Sequence, residues 1–276
     1  IRVRASAPRR RDDRLRPANR RGIPGDDRGG QMVGSEADPE SELGAAVGHL
    51  GPALLSSLDA LEQAFRRLHP PDFPDLQRKL APVQAAHSAA HARLQAVAAP
   101  EALQQFQKDL LSASERCLGA LAGLVSPGEV GAAGALQAMR DHARAQAELF
   151  PLRQALPPVS SFFAEAFRRD DLSSLEAAPG VNAKVGLFRS GQPGERGGFD
   201  LYVPESYDGS TAWPLVVALH GGSGSGEDFL WSWLREARSR GFMLVAPSSR
   251  GTTWSLNAPE VDGRELRQMT EWVASE

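Results

Sequence analysis

Five apolar residues in unbroken succession, Leu215-Val216-Val217-Ala218-Leu219, lie between Pro214 and the turn His220-Gly221-Gly222. The run is short and does not alternate, which suits a strand buried on both faces of a parallel sheet. Parallel strands need long crossovers, usually helical, so strand and helix should alternate around it. They do. Glu227 to Ser239 reads as a helix closed by Gly241, and Phe242-Met243-Leu244-Val245-Ala246 is a second buried strand, stopped by Pro247. Upstream, residues 185–189 and Phe199-Asp200-Leu201-Tyr202-Val203 read as strands ended by Gly191 and Pro204. Downstream, residues 262–275 read as a helix with Leu266, Met269, Thr270 and Val273 on one side. Two strands followed by β-α-β-α open an α/β sheet.

The preceding region has another rhythm. All five Trp and both Tyr fall after residue 198, whereas Ala and Leu dominate residues 43–156. Leu54, Leu58, Leu61, Phe65 and Leu68 form one helical stripe. Leu76, Leu80, Val83, His87, Ala90, Leu94 and Val97 form a second, with Pro82 predicting a kink or a late start. Leu103 to Leu124 and Leu136 to Phe150 carry a third and a fourth, and a shorter helix fits residues 159–170. Short breaks at His69-Pro70-Pro71, Ala99-Pro100 and Ser126-Pro127-Gly128 favour an all-α bundle of about four helices. Residues 32–178 therefore read as a bundle domain and residues 181–276 as an α/β domain, divided near Ala178-Pro179-Gly180. His87 and His91 share a helix face as metal ligands can, but no Asp or Glu lies between Asp75 and Glu101, so two packed or solvated imidazoles are expected and no metal. His142, beside Asp141, reads as part of an exposed face. The single Cys117 sits in a helical pattern, where a small buried residue is expected.

Residues 1–31 hold ten Arg against four Asp, in a chain whose net charge is -3. With few large apolar residues they read as a disordered leader. The first Met is Met32, so these residues also fit non-native upstream coding text; a basic tail for nucleic acid or membrane is the alternative. The overall charge argues against a general nucleic-acid binder. No apolar stretch approaches the roughly 18 residues of a membrane span. Without an h-region after either start, cytoplasm is the simplest compartment.

The loop His220-Gly221-Gly222-Ser223-Gly224-Ser225-Gly226 is nearly free of Cβ bulk, so its amides can approach a ligand. Gly221 and Gly226 have the outer spacing of a phosphate loop, but Glu227 and Asp228 stand where Lys and Ser or Thr are needed. A dinucleotide fingerprint fails at the same place, since Glu227 replaces its third Gly. No cofactor is expected. An acyl oxyanion is a third ligand class that such a turn can serve, and a glycine-rich turn without a ligand is the bland alternative.

Together with Phe199–Pro204 and Pro214–Gly222, the blocks Gly241–Gly251 and Thr253-Trp254-Ser255 resemble the N-terminal half of an α/β-hydrolase esterase. The likeness is to the phospholipase/carboxylesterase and polyhydroxybutyrate-depolymerase-like group. It covers about a quarter of the chain and none of the bundle. It implies an incomplete α/β-hydrolase sheet of four strands, with the fourth between the second and third. It implies a serine hydrolase acting on a small-molecule carboxylic ester. Oxyanion donors would come from Gly221, Gly222 and Ser223, His220 would position the loop, and Trp254 would wall the pocket. Such an enzyme needs Ser, then Asp or Glu, then His, with the Ser in G-x-S-x-G. The chain has no such pentapeptide and no His after His220. Catalytic Ser, Asp and His are thus expected beyond residue 276, and the chain reads as an inactive fragment of an esterase. The alternative is a non-catalytic α/β-hydrolase-like protein whose bundle binds a partner.

Overall fold

The computed structural model describes residues 39–125, 131–176, 183–192, 195–255 and 257–275. The arginine-rich residues 1–31 and the breaks at 126–128 and 178–180 lie outside them. The fold is mixed α/β, a helical region followed by a small four-stranded sheet.

Four long helices form the first region: α1 (Pro39–Phe65), α2 (Phe73–Ala96), α3 (Gln104–Val125) and α4 (Ala132–Leu149). The stripe at Leu54, Leu58 and Leu61 extends back through Leu43, Ala46 and Leu50, all buried, so α1 starts well before its first expected residue. Pro82 lies inside α2, which excludes a late start there. Helices adjacent in sequence pack together, and α1 also meets α3 and α4. Leu110, Cys117, Leu121 and Leu124 of α3 are buried in their shared core, and burial pushes the Cys117 thiol pKa up.

Beyond α4, the single helix expected over 159–170 is broken into α5 (Pro157–Phe162), a 3-10 turn at Ala166–Asp171 and α6 (Leu172–Leu175). Arg238 explains the break. Its guanidinium donates to Ser160 O at 2.9 Å and Phe163 O at 3.2 Å, two carbonyls that a continuing helix would use itself.

Strands β1 (Gly186–Ser190), β2 (Phe199–Val203), β3 (Leu215–Val217) and β4 (Met243–Pro247) align in the order β1-β2-β4-β3. β2 is antiparallel to β1 and β4, and β3 is parallel to β4. Alternation sorts the strands' side chains to two faces. Tyr202, Ala218, Leu244 and Ala246 face the bundle in one core with Leu58, Leu121 and Phe150. Phe199, Leu201, Val203 and Val245 face away, under Met269 of α9 (Pro259–Ser275). The compositional boundary near 175–185 therefore separates two kinds of sequence that share one continuous core. β3 differs from expectation. It is the edge of the described sheet, and Val217 and Leu219 are 37% and 47% exposed rather than buried.

The helix expected over 227–239 is interrupted: α7 (Gly226–Phe229), a 3-10 turn at Leu230–Ser232, then α8 (Leu234–Arg240). Gly241 closes α8 in the left-handed region at φ 73°, and its amide donates to Ala237 O at 3.0 Å. Arg238 of α8 is fully buried, with Glu176 at 3.2 Å and Glu205 at 3.6 Å. Glu205 also receives Arg153 at 2.7 Å and the Tyr202 hydroxyl at 2.8 Å. This network ties the end of β2 to the bundle's exit.

Candidate functional site

The loop after β3 is held in place by its own histidine. The Ser249 amide donates to His220 Nε2 at 3.0 Å, so that nitrogen carries a lone pair and the ring proton sits on Nδ1. Nδ1–H in turn donates to Gly221 O at 2.7 Å. Both ring nitrogens are thereby engaged, and the ring is buried. The two bonds tie the imidazole to Gly221 and to the backbone after β4, and neither nitrogen is left for proton transfer.

Trp254 covers this arrangement from behind. Its indole N–H donates to His220 O at 2.8 Å, and its ring lies 4.9 Å from the imidazole centroid. The segment containing it is anchored to α9, where buried Asp262 accepts from the Ser255 amide at 2.6 Å. Trp254 consequently does not line the cleft beside the loop. It lines a separate cavity of about 440 Å³ with Ser248, Asp262 and Met269, which departs from the role of pocket wall.

Close approach explains the glycines. A Cβ on Gly226 would stand 2.0 Å from Ala246 O, and the Gly226 amide donates to Ser248 Oγ at 2.8 Å. Only glycine lets α7 begin against β4. Ser225 caps α7 by accepting from the Asp228 amide at 3.2 Å. Burial raises the Asp228 carboxyl pKa, opposed by the Ser225 hydroxyl and Arg144.

Of the three expected amide donors, one is occupied. Ser223, the one non-glycine with positive φ (61°) among the described residues, donates its N–H to Thr252 O at 2.7 Å. The Ser223 amide is thus withdrawn from any ligand. The amides of Gly221 and Gly222 have no acceptor among the described residues, and both glycines are exposed.

Gly221 and Gly222 line a cleft of about 590 Å³ between the loop and the bundle. From the bundle come Phe65 of α1 and Leu136 and Met139 of α4; from the other side come Phe229, Trp231 and Trp233. Two arginines absent from the expected site hold the loop's carbonyls. Arg140 of α4 donates to Ser223 O at 2.8 Å, and Arg196 donates to Gly224 O at 2.7 Å. Arg140 stands 83 residues before Ser223, so no local pattern marks it.

His142 also reaches this cleft, and it corrects an expectation. It is 9% exposed, it bonds Leu58 O at 3.1 Å, and burial lowers its pKa to about 4. A signal was available: Met139, His142, Gln146 and Leu149 recur at three- and four-residue spacings on one face of α4. His87 and His91 both turn to serine hydroxyls. His87 lies between Ser57 Oγ at 3.0 Å and Ser114 Oγ at 2.8 Å, and His91 shares Ser114 at 2.8 Å. Burial, reinforced by His91, lowers the His87 pKa to about 4. Among the described residues no cluster of three or more potential ligands could hold a metal, and no helix is long and apolar enough to cross a membrane.

No protein-family model, curated protein or solved structure matches the chain.

Proposed function

We propose that this chain supplies the oxyanion half of a serine hydrolase acting on carboxylic esters. The observation that carries the reading is that exposed Gly221 and Gly222, whose amides have no acceptor among the described residues, lie beside an apolar cleft on a loop held by His220, Arg140 and Arg196. Attack on an ester carbonyl concentrates negative charge on one oxygen. Donors already aimed at that oxygen need no reorganisation, and each contributes about 2.7–4 kcal/mol in comparable sites. The strand order β1-β2-β4-β3 adds support, since the loop then opens at the carboxyl end of a parallel strand, where open α/β sheets bind ligands. The reading requires a nucleophile on a G-x-S-x-G turn encoded after Glu276, followed by an acid and a histidine.

The experiment is to read the coding sequence past Glu276, express the longer product and treat it with a fluorophosphonate probe. Labelling of a serine in G-x-S-x-G, lost in the Ser→Ala variant, is expected. A downstream sequence without such a serine would overturn the proposal and leave a non-catalytic relative of these enzymes.

A further inference from the structure

The cleft is a ligand site in which the helical bundle does half the work. We infer that it binds the apolar acyl group of a carboxylic acid or ester, with the carboxyl oxygen on the Gly221 and Gly222 amides and the tail between α4 and Trp233. This rests on the oxyanion reading and names the ligand class and the selecting wall for that site.

About 590 Å³ falls within the roughly 300–1,000 Å³ of sites that enclose drug-sized molecules. Its apolar lining, Phe65, Leu136, Met139, Phe229, Trp231 and Trp233, comes from two regions far apart in sequence. Trp233 is 41% exposed, a large apolar surface facing space that no described residue fills. The charged groups are mostly committed. Glu62 accepts from Arg66 at 2.5 Å and lies 3.3 Å from Arg235. Arg235 also reaches Asp59 at 3.1 Å, and Arg140 spends a donor on Ser223 O. At the loop end, the groups without a hydrogen-bond partner among the described residues are the Gly221 and Gly222 amides and one carboxylate oxygen of Asp228, which lies 3.7 Å from Arg144. An apolar wall with N–H donors at one end suits an amphipathic acid: an acyl tail carrying a carboxylate or ester carbonyl. The Asp228 carboxylate at the same end makes an alkylammonium of equal length the direct competitor that the titration separates from the acid.

Because α4 provides both Arg140, which sets the loop, and Leu136 and Met139, which meet the tail, the bundle is placed to choose acyl length. Binding needs no nucleophile, so it can be measured on this chain. Octanoate is titrated against the protein, with octylammonium as the control. Tryptophan fluorescence and the Gly221 and Gly222 amide resonances are followed. Octanoate should saturate and shift both glycine amides, and octylammonium should do neither. Met139→Trp fills the tail region and should weaken octanoate at least tenfold at an unchanged unfolding midpoint; Leu136→Trp, one turn away, is an independent block. Absence of saturation overturns the inference. So does saturation that leaves the glycine amides unmoved, or that persists in both folded tryptophan variants. A downstream sequence lacking a reactive serine sinks the hydrolase reading alone, since octanoate binding is scored separately.

Discussion

Replacing His220 by Ala should loosen the loop and cost about 2.5–6.5 kcal/mol. Three losses contribute. Ser249 is fully buried, so its amide would lose its acceptor without gaining water, at about 1–3 kcal/mol. The imidazole's contact with Trp254 would disappear, worth about 0.5–1.5 kcal/mol beyond area. The ring is 3% exposed, so its removal also leaves a cavity, adding on the order of 1–2 kcal/mol by analogy with large-to-small core changes. Gly221 O contributes little, because Gly221 is exposed and its carbonyl can turn to water. Against a typical stability of about 5–15 kcal/mol the change is large. Urea unfolding measures it, and hydrogen exchange at the Ser249 amide localises it. His220→Gln places an amide oxygen near the lost Nε2 and should recover about 1 kcal/mol with part of the Ser249 protection. A loss under about 1 kcal/mol, or Ser249 exchange as slow as in the parent, would show that His220 does not hold the loop.

Stability should also depend on pH through two buried imidazoles. His87 and His142 each sit at a pKa of about 4 when folded, against an ordinary value of 6.5. Above pH 6.5 both are neutral whether folded or unfolded. As pH falls from 6.5 to 4 the unfolded chain takes up protons first, so stability declines by up to about 3 kcal/mol for each histidine and levels below pH 4. Urea midpoints across that window check the sign, and a flat profile would count against burial of both rings. Arg238→Met should destabilise by about 3–5 kcal/mol, because Ser160 O and Phe163 O lose their donor while Glu205 keeps Arg153 and Tyr202; a change under 1 kcal/mol in a thermal melt contradicts this. Gly226→Ala should give insoluble or molten protein, since its methyl would overlap Ala246 O, and a native-like melt would disprove the close approach. Residues 181–276 expressed without the bundle should be insoluble, because Tyr202 and Trp231 lose their cover and β3 leaves an apolar edge; a soluble monomer with a cooperative melt argues otherwise.

Features that repeat along the chain are legible in the sequence alone. Four apolar stripes mark four helices, Phe199–Val203 has the same ends as β2, and Gly241 stops α8 because a left-handed residue must follow it. The loop at 220–226 was visible because glycine tolerates close backbone approach wherever it occurs. These properties depend on residues within a turn or two of one another. Burial of His142, the break in the helix after Phe162, exposure of Val217 and the bonded amide of Ser223 do not. Each is decided by a partner that folding brings from elsewhere: α1 over α4, Arg238 under α5, an edge beside β3, Thr252 behind the loop. The cleft belongs to the same class. Its two walls are α1 and α4 on one side and the loop with residues 229–233 on the other, and periodicity records which face of a helix is apolar but not what that face will meet.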